Sequence, residues 1–446
     1  MKERSISTKH VSLIFLFSIT LRTAFFLFAY NHPERLFDID SDIYIKLAES
    51  LLGSYTFPSV FRTPVYPSFI ALVYAVFGHF PQAVIAAQIF IDSLTAIFVV
   101  LIFLKISGQK SYAYVAGGFY AVSPFSVFYS LMLLSETLFA FILIVSVYCF
   151  ILFLNHKKRG YLIASSVFLG VGVLCRPIAL YLPLLLAAFV FMSGSRLRDR
   201  LINCLIFLFS FYIVLIPWYV RNYQQYEYLG IATVKDKNMS CFEAPTVLMM
   251  KDNLLSIIQP SINEPLYKYQ MYFWERVKKQ HGWEIESPSG VNEDTEKLAI
   301  LKKEGKLIIK ENILLVLLSH TAGIGRTLCP YPPHFEKLTG YPVSIVKLLA
   351  FLIDAFIMGL SLFGIVFALR GSLNIGTGRF ITVAMFFLIL YLAFIPGFVG
   401  YPRFKIPVMP YISIFAALGI SRIRKDIFKH PPRCLRIHCY FKGFFG

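Results

Sequence analysis

Charge is what this 446-residue sequence has least of: Asp, Glu, Lys and Arg make up 15% of it, against roughly 25% in an average soluble domain. With 57% apolar residues beside that shortfall, a soluble fold of this length is excluded. Acids are scarcer still, 25 Asp and Glu against 43 Lys and Arg. Missing motifs narrow the chemistry. No GxxxxGK loop followed by Ser or Thr is present, which argues against nucleotide hydrolysis; no HExxH or paired CxxC supports a catalytic zinc, and no GxSxG elbow appears. There are seven cysteines. Cys149, Cys175 and Cys204 sit in apolar runs and read as buried thiols, and Cys241 and Cys329 share one exterior segment and could pair. Cys434 and Cys439 flank His438 without the second ligand pair that zinc requires. Disorder is excluded by 17% aromatic residues, and no internal repeat stands out.

What is present is a series of long apolar runs, near residues 11–30, 82–104, 112–129, 134–154, 161–175, 178–192, 201–219, 343–369, 380–399 and 405–421. About 20 helical residues cross roughly 30 Å of hydrocarbon. These runs, with a further short or re-entrant helix near 307–325, predict an all-α polytopic membrane protein, a bundle of ten to twelve transmembrane helices with a small exterior loop subdomain. Lys2, Arg4 and Lys9, Lys105 and Lys110, Lys157–Arg159, Arg196, Arg198 and Arg200, Arg370 and Arg379, and the tail from Arg422 fall on alternate loops. By the positive-inside rule both termini are then cytoplasmic. The net charge of +18 is thus a topology signal, and no nucleic-acid partner is expected. The first run has no small-residue cleavage site after it and reads as a retained anchor; runs 161–175 and 178–192 read as a hairpin whose outer tip holds Arg176–Pro177. The chain divides into a transmembrane module 1–220 with a first exterior loop 31–81, an exterior subdomain 221–342, C-terminal transmembrane helices 343–421 and a basic cytoplasmic tail 422–446.

Only 11 acids lie outside 221–342, and Asp38, Asp40 and Asp42 fall within five positions of one another. They follow the first span at the outer surface and precede a helical pattern of Ile43, Leu47 and Leu51. A solvated turn with Asp40 or Asp42 capping the helix is one reading; a carboxylate for general base work at a water–lipid boundary is the other. Alternating aspartates do not share a helical face, so one working acid is favoured over a metal clasp; no cofactor is expected, and metal dependence stays open. Glu136, at an outward turn, reads either as an N-cap partner with Ser135 or as a functional carboxylate at membrane depth. Asp92 and Asp354 lie within spans, where hydrogen bonding between helices is enough to explain them.

Basic residues gather on the same face. Arg62, Arg176, Arg221 and Arg403–Lys405 all map to exterior ends of their elements, where the positive-inside rule predicts few. Singly, each reads as an arginine reaching for head groups. Together they suggest guanidinium forks that hold a phosphate or diphosphate beside an acid.

These residues resemble the polytopic GT-C glycosyltransferases of family 39, which include protein O-mannosyltransferases and the lipid A aminoarabinose transferase. Asp40, Tyr44 and LAESLL match the start of that family's first exterior loop. RTPVYPSFIALVYAVFG, with Arg62 and Tyr66, looks like its R-x-P-x-Y-P segment, and LSETLF, LCRPIAL, PWYVRNY and YPRFKIPVMP look like its bacterial landmarks. The chain departs at Ser41, where the family often has Glu, and the displaced Asp42 has an open role. The resemblance covers roughly residues 11–230 and 380–420. It implies a polyprenyl- or dolichyl-phosphate monosaccharide as donor and inversion at the anomeric centre. It also implies Asp40 as the catalytic carboxylate and Arg62, Arg221 and Arg403 as donor-phosphate contacts. Asp42, Tyr44, Tyr66, Glu136, Arg176 and Lys405 complete the candidate substrate-binding set.

The expected function is therefore a membrane glycosyltransferase of the cell envelope, in the plasma (inner) membrane, moving a sugar to an acceptor on the exterior face. That acceptor is a protein hydroxyl, lipid A or a polysaccharide. A lipid-linked sugar flippase shares the hydropathy; transporters, however, place charge near the midplane and show related halves. A non-enzymatic scaffold has no reason to collect acids and arginines on one face.

Overall fold

The computed structural model describes residues 8–38, 40–194, 196–258, 263–283, 294–330, 334–340, 344–370, 376–397 and 402–429. Among them every regular element is a helix. α1 (Thr8–Ala29) leads through the exterior loop to α2 (Ser41–Ser54) and α3 (Val65–Phe77), and then come α4 (Pro81–Ser107), α5 (Lys110–Val122), α6 (Pro124–Ser130), α7 (Glu136–His156), α8 (Arg159–Cys175), α9 (Leu182–Ser193) and α10 (Leu197–Tyr226). The exterior segment supplies α11 (Val234–Asn238), α12 (Ala244–Asp252), α13 (Asn263–His281), α14 (Thr295–Glu311), α15 (Ile313–Leu328) and α16 (Phe335–Thr339). α17 (Ser344–Leu369), α18 (Gly376–Phe394) and α19 (Met409–Lys429) close the bundle, α19 being preceded by a 3-10 segment, Pro402–Val408.

Among the described residues seven helices are long and apolar enough to span a membrane: α1, α4, α7, α10, α17, α18 and the helix through Arg403–Arg424. The ten-to-twelve estimate differs for identifiable reasons. The run 112–129 is cut where Pro124, whose nitrogen cannot donate, starts a new helix with the Ser123 hydroxyl accepting from the Ser126 amide at 3.4 Å. The hairpin runs are short, 17 residues in α8 and 12 in α9. The run 307–325 is bent by 96° where α14 meets α15, and counting that pair as one span gives eight. α3 buries Tyr66, Ile70 and Tyr74 and exposes Leu72, Val76 and Phe77, as an interfacial helix should.

Two buried ion pairs stitch the bundle. Arg22 of α1 donates through Nε to Asp92 Oδ2 of α4 at 2.6 Å, and the Tyr120 hydroxyl of α5 donates to Asp92 Oδ1 at 2.5 Å. Lys405 donates to Asp354 Oδ2 of α17 at 2.6 Å and to the Cys329 carbonyl at 3.1 Å. The helices α17 and α19 pack so tightly that a Cβ on Gly364 would meet the Phe415 carbonyl at 1.9 Å, so only glycine fits there. α19 thereby becomes the central helix, buried from Met409 to Leu418, and fixes the Pro402–Val408 segment at its head. Outside the bundle, Phe273, Trp274, Val277, Leu298 and Leu301 form a small separate core. Cys241 is buried and Cys329 exposed, both as free thiols, so the pairing that the sequence permits is not formed. Cys434 and Cys439, and most of the basic tail, lie outside the described residues.

Candidate active site

The first exterior loop is anchored before it reaches Asp40. The Leu133 amide donates to the Leu36 carbonyl at 2.8 Å, while Ser41 Oγ accepts from the Asp38 amide at 2.8 Å and donates to the Leu133 carbonyl at 2.9 Å. Asp40 takes the N-cap position of α2, yet its side chain makes no capping bond. Its carboxylate instead accepts from Arg62 Nη2 at 2.5 Å and from Arg403 Nη1 at 3.3 Å. Asp42 lies two helical positions on and is exposed.

A second acid adjoins the first. Glu136 opens α7 beside Ser135, whose side chain caps nothing. Arg176 Nη1 lies 2.6 Å from Glu136 Oε1 and donates to Ser135 Oγ at 3.0 Å, and Arg403 Nε lies 3.7 Å from the same Glu136 oxygen. Arg403 therefore bridges Asp40 and Glu136. Aromatic rings carry the cations: Arg62 lies 5.2 Å from the Tyr44 ring centroid and 4.7 Å from that of Phe61, and Arg176 and Arg403 lie 5.7 and 5.4 Å from that of Phe404. Tyr66 contacts the Tyr44 ring edge-on at 4.8 Å and donates its hydroxyl to Gln88 Oε1 at 2.6 Å; it supports Tyr44 from behind.

Three guanidinium groups thus face two carboxylates, an excess of one positive charge. Arg62 Nε is buried without a hydrogen-bond partner among the described residues, and Arg403 Nε has only its long approach to Glu136, an unfavourable state that an anion would relieve. Burial alone would make Asp40 hold its proton more tightly, but Arg62, then Arg403 and Arg176, keep its pKa below the ordinary carboxylate value. The same partnership keeps Arg62 firmly protonated despite its burial.

Two members of the predicted set lie elsewhere. Arg221 donates to the Ser59 carbonyl at 2.7 Å and to the Phe57 carbonyl, and stacks with Trp218 at 4.7 Å. It clamps the loop that carries Arg62 without itself joining the acids. Lys405 is wholly buried on Asp354, because a 3-10 segment turns about 240° in two residues and so aims Arg403 and Lys405 apart. Lys237 of α11, which nothing in the mixed-charge exterior segment singles out, lies 5.3 Å from the Phe61 ring centroid. Among the described residues no group of three His, Cys, Asp or Glu could hold a metal.

Residues 61–219 match the family described as dolichyl-phosphate-mannose-protein mannosyltransferase. Those residues are thus similar to a glycosyltransferase domain. That segment contains Arg62, Tyr66, Glu136 and Arg176 and ends just short of Arg221. The overall fold is similar to that of the oligosaccharyltransferase AglB from Archaeoglobus fulgidus in complex with an inhibitory peptide and a dolichol-phosphate, at TM-score 0.58 and 15% identity over 96% of this chain and 51% of that one. The apo form of the Archaeoglobus enzyme gives TM-score 0.55 at 14% identity, again over 96% and 51%. This chain therefore spans about half the length of those structures. ArnT from Cupriavidus metallidurans bound to undecaprenyl phosphate gives TM-score 0.37 at 14% identity over 93% of this chain and 79% of that one. No curated protein sequence matches the chain. The shared fold, the family match over residues 61–219 and the apolar spans together describe a multi-pass membrane protein with a GT-C-like fold.

Proposed function

We propose that this protein transfers a monosaccharide from a polyprenyl phosphate to an acceptor on the exterior face of the plasma (inner) membrane, with both termini in the cytoplasm. The observation that carries this reading is the cluster in which Arg62, Arg176 and Arg403 outnumber Asp40 and Glu136. Arg62 Nε has no hydrogen-bond partner among the described residues. The donor phosphate fits between Arg62 and Arg403, where low dielectric strengthens each contact.

As the bond between the anomeric carbon and the phosphate oxygen breaks, that oxygen keeps the electron pair and the arginines offset its charge. The acceptor oxygen attacks the opposite face of the sugar, and its proton passes to the Asp40 carboxylate. The donor also prepares the base. A phosphate competing for Arg62 and Arg403 loosens their hold on Asp40 and so raises its affinity for a proton. A phosphate acceptor needs no base, and Asp40 then orients it or steadies positive charge on the ring. Tyr44, Tyr66 and Gln88 form the wall behind Arg62; Arg221 positions its loop, and the exposed Asp42 faces the side from which an acceptor arrives. The acceptor class, protein hydroxyl, lipid A or polysaccharide, is the open variable of this reading.

Reconstitution into vesicles with a labelled polyprenyl-phosphate sugar tests the proposal. Release of free polyprenyl phosphate together with labelled acceptor is expected. Movement of intact donor across the bilayer with no release would favour a flippase and overturn it.

A further inference from the structure

The exterior segment is fastened to the first loop at one point with a chemical consequence. The Thr233 amide donates to the Val60 carbonyl at 3.0 Å, and the Lys237 amide, one turn later, donates to the Thr233 carbonyl at 3.0 Å. This register lays the Lys237 ammonium over the Phe61 ring, whose centroid also lies 4.7 Å from the Arg62 guanidinium carbon. One ring thus gathers a cation from the first loop and a cation from the exterior segment. The neighbouring acid on α11 is engaged elsewhere, since the Asp236 carboxylate accepts from Tyr228 and Lys302, each at 2.9 Å. With Lys237 included, the basic groups of the site exceed its two carboxylates by two charges.

We propose that Lys237 is a leaving-group contact, matched to the second negative charge that appears on the phosphate as the sugar departs. This rests on the donor reading above. A sugar phosphodiester carries one negative charge. The polyprenyl phosphate it releases is a monoester whose second ionisation lies near pH 6, so it carries nearly two charges at pH 7.5. A cation that meets only the second charge stabilises the transition state more than the bound donor, which raises kcat and leaves KM little changed. Lys237 and Arg62 share that ring, and their like charges repel. Burial, and after it the repulsion of Arg62, indeed make Lys237 release its proton more readily than an ordinary lysine, against the opposing pull of the Cys241 thiol and Asp40. An arriving dianion reverses that tendency.

The test measures binding of farnesyl phosphate and of its methyl diester to the purified full-length protein at pH 7.5. Lys237→Met is expected to weaken the monoester about tenfold or more, the scale of one charge-assisted contact, and the diester less than twofold; Lys237→Arg is expected to keep both. Equal losses for the two esters, no loss for either, or an Arg variant as poor as the Met variant would overturn the assignment. A wild-type protein that binds neither ester overturns the donor reading itself, a separate failure. Turnover gives an independent readout, a fall in kcat at nearly constant donor KM, and a rise in KM alone also overturns the proposal.

Discussion

Arg22 and Asp92 meet between α1, α4 and α5 with both side chains wholly buried, whereas Arg62 and Asp40 meet at the bundle's exterior end with side chains 14% and 18% exposed. Both are arginine–aspartate pairs with an oxygen 2.5 Å from nitrogen, so distance does not separate them. Company does. Arg22 also donates to Ser18 and to the Ala121 carbonyl, and Tyr120 occupies the second oxygen of Asp92, so one acid meets one base in a nearly closed network. Around Asp40 cations outnumber acids, Arg403 is divided between two carboxylates, and the side chains are partly open to solvent. A balanced, sealed pair holds helices together; an unbalanced, half-open one is arranged for something that arrives.

Replacing one acid in each place breaks or sharpens this contrast. Asp40→Asn is expected to lower sugar transfer about 10³-fold, within the range of a general base, while lowering the thermal unfolding midpoint in detergent far less than the loss of a sealed buried pair does. Near-normal turnover would remove Asp40 from the chemistry. Asp92→Leu is expected to do the reverse. A buried arginine left unpaired costs about 3–5 kcal/mol, so the midpoint falls, and the molecules that remain folded turn over normally. Arg22→Leu added to it should recover most of the loss. Lys405→Met should behave like Asp92→Leu, because Lys405 lies on Asp354 and away from the donor pocket; a specific loss of donor affinity at unchanged stability would return Lys405 to the site.

How much of this is legible in the sequence follows from what each signal encodes. The runs 82–104, 134–154 and 343–369 become α4, α7 and α17 within a few residues, because hydropathy over 20 residues is a local property. The gathering of Asp40, Arg62 and Arg403 from three remote segments is not local, and it is the family resemblance and the shared membrane face that bring them onto one list. Arg22 is invisible as a lone charge inside an apolar run; only the depth of Asp92 and Tyr120 opposite it explains why it is tolerated there. Lys405 is misassigned for the same reason that Asp42 is uncertain. Two positions along a chain look adjacent in sequence, but a 3-10 or α-helical segment points them to different sides. Lys237 hides among 15 Lys and Arg of a nearly neutral segment, and the backbone bond from Thr233 to Val60 that brings it to Phe61 has no sequence signature.

The smallest expected effect is on pH dependence, and it tests whether the arginines tune the acid or merely neighbour it. Asp40 is held below the ordinary carboxylate value by Arg62 first and Arg403 next, against the opposing effect of burial. A base must be ionised to accept a proton, so the transfer rate of the wild-type protein should stay level from pH 8 downward and fall only below the ordinary carboxylate range. The stability that Asp40 adds runs the same way: present above its unfolded value, lost as pH falls through the lowered folded one. Arg62→Met removes the largest lowering influence and leaves the burial in place, so the Asp40 ionisation moves upward and the acid limb of the rate profile moves with it. Rate measurements on both proteins from pH 8 down to about 3, below the ordinary carboxylate value, decide the point. A limb that does not move in Arg62→Met would mean that Asp40 answers to the bound donor alone, and the contrast between sealed and open ion pairs would lose its electrostatic basis.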